Sequence, residues 1–304
     1  MEKRLMHDAG IEHKPQWRRR VFPYVLILPG LIYIAVTTLV PLVYSFWTSL
    51  TFNRATSVRP PHFNGIQNYI DVLSDPSFWN ALKVTAIYTG TTVVAEMILG
   101  TAIALLLIKL TRGRKLVRLL LIIPFSVPPV VIGLMYLLIM DRSYGILNYL
   151  LSLVGMGPVS WLSSPDIAIW SIIGVDLWQW TPFVIISAVA ALESMPGDVI
   201  DAASIDGASS MQMVRWVILP LIKPVLLVVA LTRALTSLKV FDVIFVLTNG
   251  GPGSATETLS YMVYVDAFQR FDFGRGAAVS WLLILIAMVV AIPMVRSVLR
   301  SDVA

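Results

Sequence analysis

The chain has no cysteine in 304 residues, which excludes a disulfide framework, a zinc ribbon and a thiol redox centre. It is also poor in charge. Only 13% of its residues are Asp, Glu, Lys or Arg, about half the share of a soluble globular chain. Its three histidines, His7, His13 and His62, show no H-E-x-x-H spacing, so no metal site is indicated. A phosphate-binding G-x-x-x-x-G-K-[ST] loop is missing. The glycine-rich GGPGS at residues 250–254 lacks both the lysine and a following helix start, and reads as a turn. Low-complexity tracts, internal repeats and a Ser/His/Asp grouping are likewise not found. No catalytic centre is expected, and ATP, if used, must bind another chain.

What remains is apolar: 57% of the residues are hydrophobic and the mean hydropathy is +0.79. Six long apolar stretches cover residues 22–50, 81–108, 116–140, 167–192, 221–247 and 277–298. Each exceeds the roughly 18 residues that mark a spanning helix. None alternates with period two, and all are too long for barrel strands. The expected fold class is an all-α integral membrane protein with six transmembrane helices; the connections at 57–69, 155–165 and 248–258 are Pro- and Gly-rich and read as turns and short interfacial elements. Arg18-Arg19-Arg20 before the first run imitates a signal peptide. That run is too long for a signal core and no small-residue cleavage site follows, so an uncleaved span is expected.

Lys and Arg divide unevenly among the connections. The first tail (Lys3, Arg4, Lys14, Arg18, Arg19, Arg20), the segment after span two (Lys109, Arg112, Arg114, Lys115, Arg118), the segment after span four (Arg215, Lys223) and the last tail (Arg296, Arg300) hold fifteen. The alternate connections hold six. The positive-inside rule then puts both termini in the cytoplasm, with the segment at 201–220 on the same side. The net charge of +5 is a matter of topology here, and no nucleic-acid partner is expected. The division expected is a cytoplasmic tail at 1–21, a first span with its outer connection at 22–79, and a five-helix core at 80–300 containing a loop at 193–220.

That loop interrupts the apolar pattern with DAASIDGASSMQMVRWVILP, residues 201–220. Asp198 is expected to cap a first short helix over 199–205, and Gly207 to supply its left-handed stop. Ser209 is expected to cap a second over 210–217, ended by Pro220 before span five. Ala202, Ala203 and Ala208 remove bulk, so another surface can approach the backbone. From the residues alone, a knob offered to a cytoplasmic partner and an amphipathic elbow in the headgroups stand level.

The segment resembles the EAA loop of binding-protein-dependent ABC importer permeases, E-A-A-x-x-D-G-A followed nine residues later by an apolar residue, Leu and Pro. Here it stands as Asp201-Ala202-Ala203, Asp206-Gly207-Ala208 and Leu219-Pro220, with Asp201 where the family has glutamate. LPGLIYIAVTTLVPLVYSFWTSL, FNGIQNYIDVLSDPSFWNALKVT and the run beginning LTNGGPGSATET are similar to the sugar-transporting, maltose and glycerol-phosphate type. The resemblance implies a permease subunit of a bacterial inner-membrane ABC importer for a sugar, polyol or related compound. It implies a second similar permease subunit, two cytoplasmic ABC ATPase subunits that carry ATP and Mg, and a periplasmic or lipid-anchored sugar-binding protein. Residues 201–220 are then the coupling helix that docks on the ATPase.

Charges inside the spans are costly, near +2.5 to +3.5 kcal/mol each at a helix centre on insertion scales. This chain keeps Glu96, Asp176, Arg233, Lys239 and Asp242. Lys239 and Asp242, three apart, are expected to pair on one helix face. Asp176 is a candidate partner for Arg233, and Glu96 reads equally as a helix contact or a functional group. DLWQWTPF, residues 176–183, offers aromatic faces and hydrogen-bonding groups of the kind that hold sugars. By the resemblance, the cargo cavity is lined by Asp176, Gln179, Trp180, Phe183, Arg233 and Ser237. The rival classes are a secondary transporter driven through Lys239 and Asp242, and an intramembrane lipid-modifying enzyme using Asp176 or Glu96. Neither gives the loop at 201–220 a role.

Overall fold

The computed structural model describes residues 16–110 and 112–301. The tail expected at 1–21 lies outside the described residues up to residue 15. Two compact units are present, residues 1–48 and 49–304. The described part of the first is the apolar helix α1 (Gln16–Ser49), whose last residue opens the second unit and whose 26-residue stretch Tyr24–Ser49 is long enough to span a bilayer.

The second unit begins with a two-stranded antiparallel ribbon, β1 (Thr51–Phe52) and β2 (His62–Phe63), and the short helix α2 (Gln67–Ser74). Asn68 ties these together, because its buried amide donates to the carbonyls of Ser49 and Thr51 at 2.8 Å each. Helix α3 (Pro76–Ile108) follows, with Asp75 accepting from the Ser77 N–H and Pro76 in its first turn.

The stretch expected as one third span is two helices, α4 (Arg114–Ser126) and α5 (Pro129–Ile139), bent by 95°. The reason is local. A residue before proline is pushed out of the helical region, and both Val127 and Pro128 are extended, with ψ 133° and 138° ahead of Pro128 and Pro129. After α6 (Ile146–Leu153), helix α7 (Pro165–Glu193) crosses the unit and is the most enclosed of the long helices. It runs parallel to α3: Glu96 lies level with Asp176, and Gly100 level with Val184. A Cβ on Gly100 would come within 2.6 Å of Val184, so glycine sets the close approach of these two helices.

Beyond α7 come α8 (Gly197–Ile205) and α9 (Ser210–Gln212), then a π-helical segment, Met213–Ile218, leading without interruption into α10 (Leu219–Ser237). The expectation that Pro220 ends the second loop helix is therefore corrected. Proline lacks an N–H and crowds the carbonyl four residues back; the wide i to i+5 turn before it relieves both problems. The fifth span also ends early. Helix stops at Ser237, residues 238–241 are non-helical, and α11 (Asp242–Leu247) starts anew. The chain then passes the Gly-rich turn, where Gly250 at φ 79° presses on the Tyr261 ring, to α12 (Leu259–Tyr264), a π segment Val265–Gln269, and α13 (Phe273–Ser301).

Three buried clusters hold the unit together. Ile132, Ile172, Val243 and Ile244 join α5, α7 and α11; Ala104, Ile185, Ala188 and Ile222 join α3, α7 and α10; Val72, Phe78, Leu259 and Ala278 join α2, α3, α12 and α13. Among the described residues five helices are long and apolar enough to cross a membrane, six with the bent α4–α5 pair. The all-α, six-span reading stands, with one span broken.

Candidate functional site: a buried charge cluster and an exposed elbow

Arg233 lies at the centre of the second unit with 1% of its side chain exposed. Its Nε donates to Glu96 Oε2 at 2.5 Å, and its Nη2 donates to Glu96 Oε1 at 2.7 Å and to Asp176 Oδ2 at 2.8 Å. The planar guanidinium fork matches the Glu96 carboxylate with two bonds and still reaches a second acid, which a lysine could not do. One cation thus links α3, α7 and α10. Breaking such a group by removing one partner is costly, because an uncompensated charge is left buried. The candidate pair of Asp176 with Arg233 is formed, and Glu96 proves to be its third member.

Lys239 and Asp242, by contrast, form no ion pair with each other. Their spacing of three brings side chains together only on a helix, and the chain between them is non-helical, with Phe241 at φ −138° and ψ −55°. Both are exposed at the mouth of a cavity of about 110 Å3.

That cavity is bordered by five of the six expected residues: Asp176, Gln179, Trp180, Arg233 and Ser237, together with Tyr88. Phe183 is not among them. It faces an open groove of about 480 Å3 along α7 and α10 and stacks on Phe125 with ring centres 5.6 Å apart. A helical residue seven positions after Asp176 shares its face, but two turns further along, where the Phe125 ring and the groove meet it. Trp180 is also differently engaged from the expected stacking platform. The Arg233 guanidinium covers its ring at 4.3 Å, and Phe125 meets it edge-on.

Gln179 explains how the α4–α5 break survives. In a bilayer, non-helical backbone is tolerated only where protein or a cavity satisfies it. The Val127 carbonyl, freed at the break, accepts from Gln179 Nε2 at 3.3 Å. At the other break, the Val240 carbonyl accepts from Thr258 Oγ1 at 3.3 Å. Pro129 and residues 239–243 both border the cavity, so the two interruptions converge on it.

The loop at 193–220 is built as an elbow. Two arginines of α4, Arg114 and Arg118, meet Glu193 at the end of α7 at 2.7 and 2.6 Å. Helix α8 starts two residues earlier than expected, with Pro196 rather than Asp198 as its cap and Asp198 in its first turn, where the helix dipole favours an acid. Gly207 at φ 76° ends it, and the Ala208 N–H reaches back to the Ala203 carbonyl at 3.1 Å. Ser209 caps α9 in a reciprocal box with Gln212. Helix α8 buries no residue, and Ile205, Met211 and Trp216 stand 86%, 75% and 68% exposed. Asp201, Ala202, Asp206, Gly207 and Pro220 are exposed as well; Ala203, Ala208 and Leu219 are half-buried.

A second ionic cluster lies where α3 begins, at the opposite end from the elbow. Arg275 joins Asp75 at 2.5 Å to Asp266 at 3.0 Å; Arg270 adds a contact to Asp266 at 2.8 Å, and Arg54 meets Asp272 at 2.7 Å. Burial alone would raise the Asp75 carboxyl, but the Ser77 N–H and the Arg275 guanidinium outweigh it and hold the carboxyl below its ordinary value. These residues sit in connections where sequence shows only scattered charges, and nothing in their spacing announces the cluster.

Residues 96–302 match the family model described as binding-protein-dependent transport system inner membrane component. The chain belongs to that family. It is a multi-pass inner-membrane component of a transport system, not an enzyme. It is 36% identical over 281 residues to the trehalose/maltose transport system permease protein MalF of Thermococcus litoralis, covering 92% of this chain and 95% of that one. It is 31% identical over 280 residues to the sn-glycerol-3-phosphate transport system permease protein UgpA of Agrobacterium fabrum, covering 88% and 92%. Its fold is shared with a chain of a bacterial ABC transporter involved in the import of the acidic polysaccharide alginate. The TM-score is 0.82 at 21% identity, over 94% of this chain and 98% of that one.

Proposed function

We propose that this chain is a permease subunit of an ATP-driven ABC importer that carries a carbohydrate, polyol or related compound across the bacterial inner membrane, with both termini in the cytoplasm. The observation that carries the reading is the elbow at 193–220. It is capped, turned by Gly207, fixed to α7 and α10, and left with its apolar side chains uncovered. Such a surface suits docking on a soluble subunit. Asp201, Ala202, Ala203, Asp206, Gly207, Ala208, Leu219 and Pro220 form the coupling surface toward two ABC ATPase subunits, which bind ATP and Mg. A second similar permease subunit completes the path, and a periplasmic or lipid-anchored sugar-binding protein delivers the cargo. The relatives named for trehalose, maltose and glycerol-3-phosphate support this assembly and cargo class. So does the alginate transporter, whose structure is known with its substrate-bound periplasmic protein.

Asp176, Gln179, Trp180, Arg233 and Ser237 line the cargo path at the two helix breaks. Phe183 contributes from outside, by holding the Phe125 and Trp180 rings. The fixed site gated from either face by moving helices follows alternating access.

The test is uptake of radiolabelled trehalose or maltose by proteoliposomes holding the whole importer and its binding protein. Uptake is expected to need ATP on the elbow's side and to survive a protonophore. Uptake that collapses with the proton gradient and ignores ATP would contradict the reading in favour of ion-driven transport. Measurable ATP hydrolysis by the purified chain alone would also contradict it.

A further inference from the structure

We infer that a crevice between α4 and α7, on the elbow's side of the membrane, holds an anionic phospholipid, its phosphate at Arg114 and Arg118 and one acyl chain between the helices. The inference takes from the reading above only that the elbow faces the cytoplasm, where the anionic leaflet lies. The crevice measures about 140 Å3. Its walls are apolar: Leu107 from α3, Leu121 and Ile122 from α4, Ile185 and Val189 from α7. Arg118 and Glu193 border it at the elbow end. From Glu193 back to Ile185 is about 12 Å along α7. Charge therefore stands at the surface and hydrocarbon beneath it, the order of a lipid's own parts.

The two arginines exceed what a fastening to α7 requires. Glu193 meets both with one oxygen, Oε1, at 2.7 Å from Arg114 and 2.6 Å from Arg118. Two cations on one acid leave a positive charge, and among the described residues the Nε of each has no hydrogen-bond acceptor. Buried donors left unmade are costly, and a guanidinium matches phosphate oxygens through parallel bonds. The same segment adds to the excess: residues 109–118 hold Lys109, Arg112, Arg114, Lys115 and Arg118 and no acid. Lys109 and Arg112 are exposed. The elbow's Asp198, Asp201 and Asp206 are exposed too, and among the described residues none of them pairs with Arg114 or Arg118.

Shape and charge together name the occupant. A free phosphate has no use for apolar walls, and a crevice of this volume is too narrow for a helix, about 10 Å across with its side chains. One acyl chain fits lengthwise. Beside it, Leu116, Leu119, Leu120 and Ile123 keep α4 apolar and exposed, so hydrocarbon continues outward from the crevice. Basic pockets between spanning helices on the cytoplasmic side are where anionic headgroups settle. Seated there, the lipid ties the start of α4 to the end of α7, where the elbow begins.

The experiment replaces Ile122, on the crevice wall, with the photoreactive p-benzoylphenylalanine in the complete importer. The importer is placed in nanodiscs of equal phosphatidylglycerol and phosphatidylethanolamine and irradiated, and the adducts are identified by mass spectrometry. No transport is needed for this readout, so it stands or falls apart from the cargo. Phosphatidylglycerol is expected to dominate the adducts. Arg118→Gln, which leaves Glu193 paired with Arg114, is expected to lower that excess roughly fivefold, the worth of one basic residue beside an anionic lipid. Adding Arg114→Gln is expected to bring the two lipids to parity, and Arg118→Lys to keep most of the excess. Arg296→Gln, at an exposed position of α13, is expected to change nothing, and added inorganic phosphate is expected not to compete. Equal capture of both lipids by the parent would overturn the inference, as would adducts to a polypeptide, which would mean that a protein covers the crevice. An equal drop in Arg296→Gln would reduce the effect to general surface charge, and competition by phosphate would reduce it to a free-anion site; either result overturns it.

Discussion

Arg233 and Arg275 each hold two carboxylates, but their surroundings differ in a way that separates function from fastening. Around Arg275, three acids (Asp75, Asp266, Asp272) face three arginines (Arg54, Arg270, Arg275), and most of these side chains keep some contact with solvent. That cluster is balanced and knits the start of α3 to the turn before α13 and to the β1 loop. Around Arg233 two acids face one arginine, almost fully buried. An ionic fastening in low dielectric gains little over apolar packing even when balanced. An unbalanced one at the junction of two helix breaks fits the proposed cargo path better than a fastening.

The comparison breaks most sharply at Arg233. Arg233→Met leaves Glu96 and Asp176 buried without a cation, and a loss of about 3–5 kcal/mol is expected, read as a fall in the melting temperature of the purified importer. A loss below about 1 kcal/mol would mean that the two acids are not held as charges. At the other end, Arg275→Met leaves buried Asp266 with Arg270 alone. A smaller loss of about 1–3 kcal/mol is expected, with transport per surviving molecule unchanged; altered cargo preference there would erase the distinction between the clusters. The smallest effect is with pH. The Asp75 carboxyl lies lower folded than unfolded, so its contribution is present above its unfolded value and lost as pH falls through the depressed one. Destabilisation in acid is therefore expected to be weaker in Arg275→Met than in the parent, measured by melting temperature against pH.

How much of this could be read from residues depends on range. The elbow is local chemistry: Gly207 at positive φ and the Ser209 cap follow from residues within a turn, and both form as expected. Intramembrane Glu96, Asp176 and Arg233 stand out by their cost, but their joining depends on the mutual register of three helices, which no short window contains. The α4–α5 break was written in Val127-Pro128-Pro129 and was masked by the apolar run around it. The failure of Lys239 and Asp242 to pair has the same origin, since a span assumed continuous ends at Ser237. Trp180 and Phe183 were placed by the resemblance, which gives a segment but not what covers each ring; Arg233 and Phe125 decide that.

The claim that the elbow transmits ATP-driven motion to the spans is tested most directly at Gly207. A Cβ there meets no atom within 4 Å, so Gly207→Val disturbs the left-handed turn, at about 1–2 kcal/mol of backbone strain, without disturbing packing. The measurement is carbohydrate imported per ATP hydrolysed by the reconstituted importer. A ratio that falls several-fold in fully assembled Gly207→Val importer is the expected result, and a ratio equal to the parent's would contradict the account.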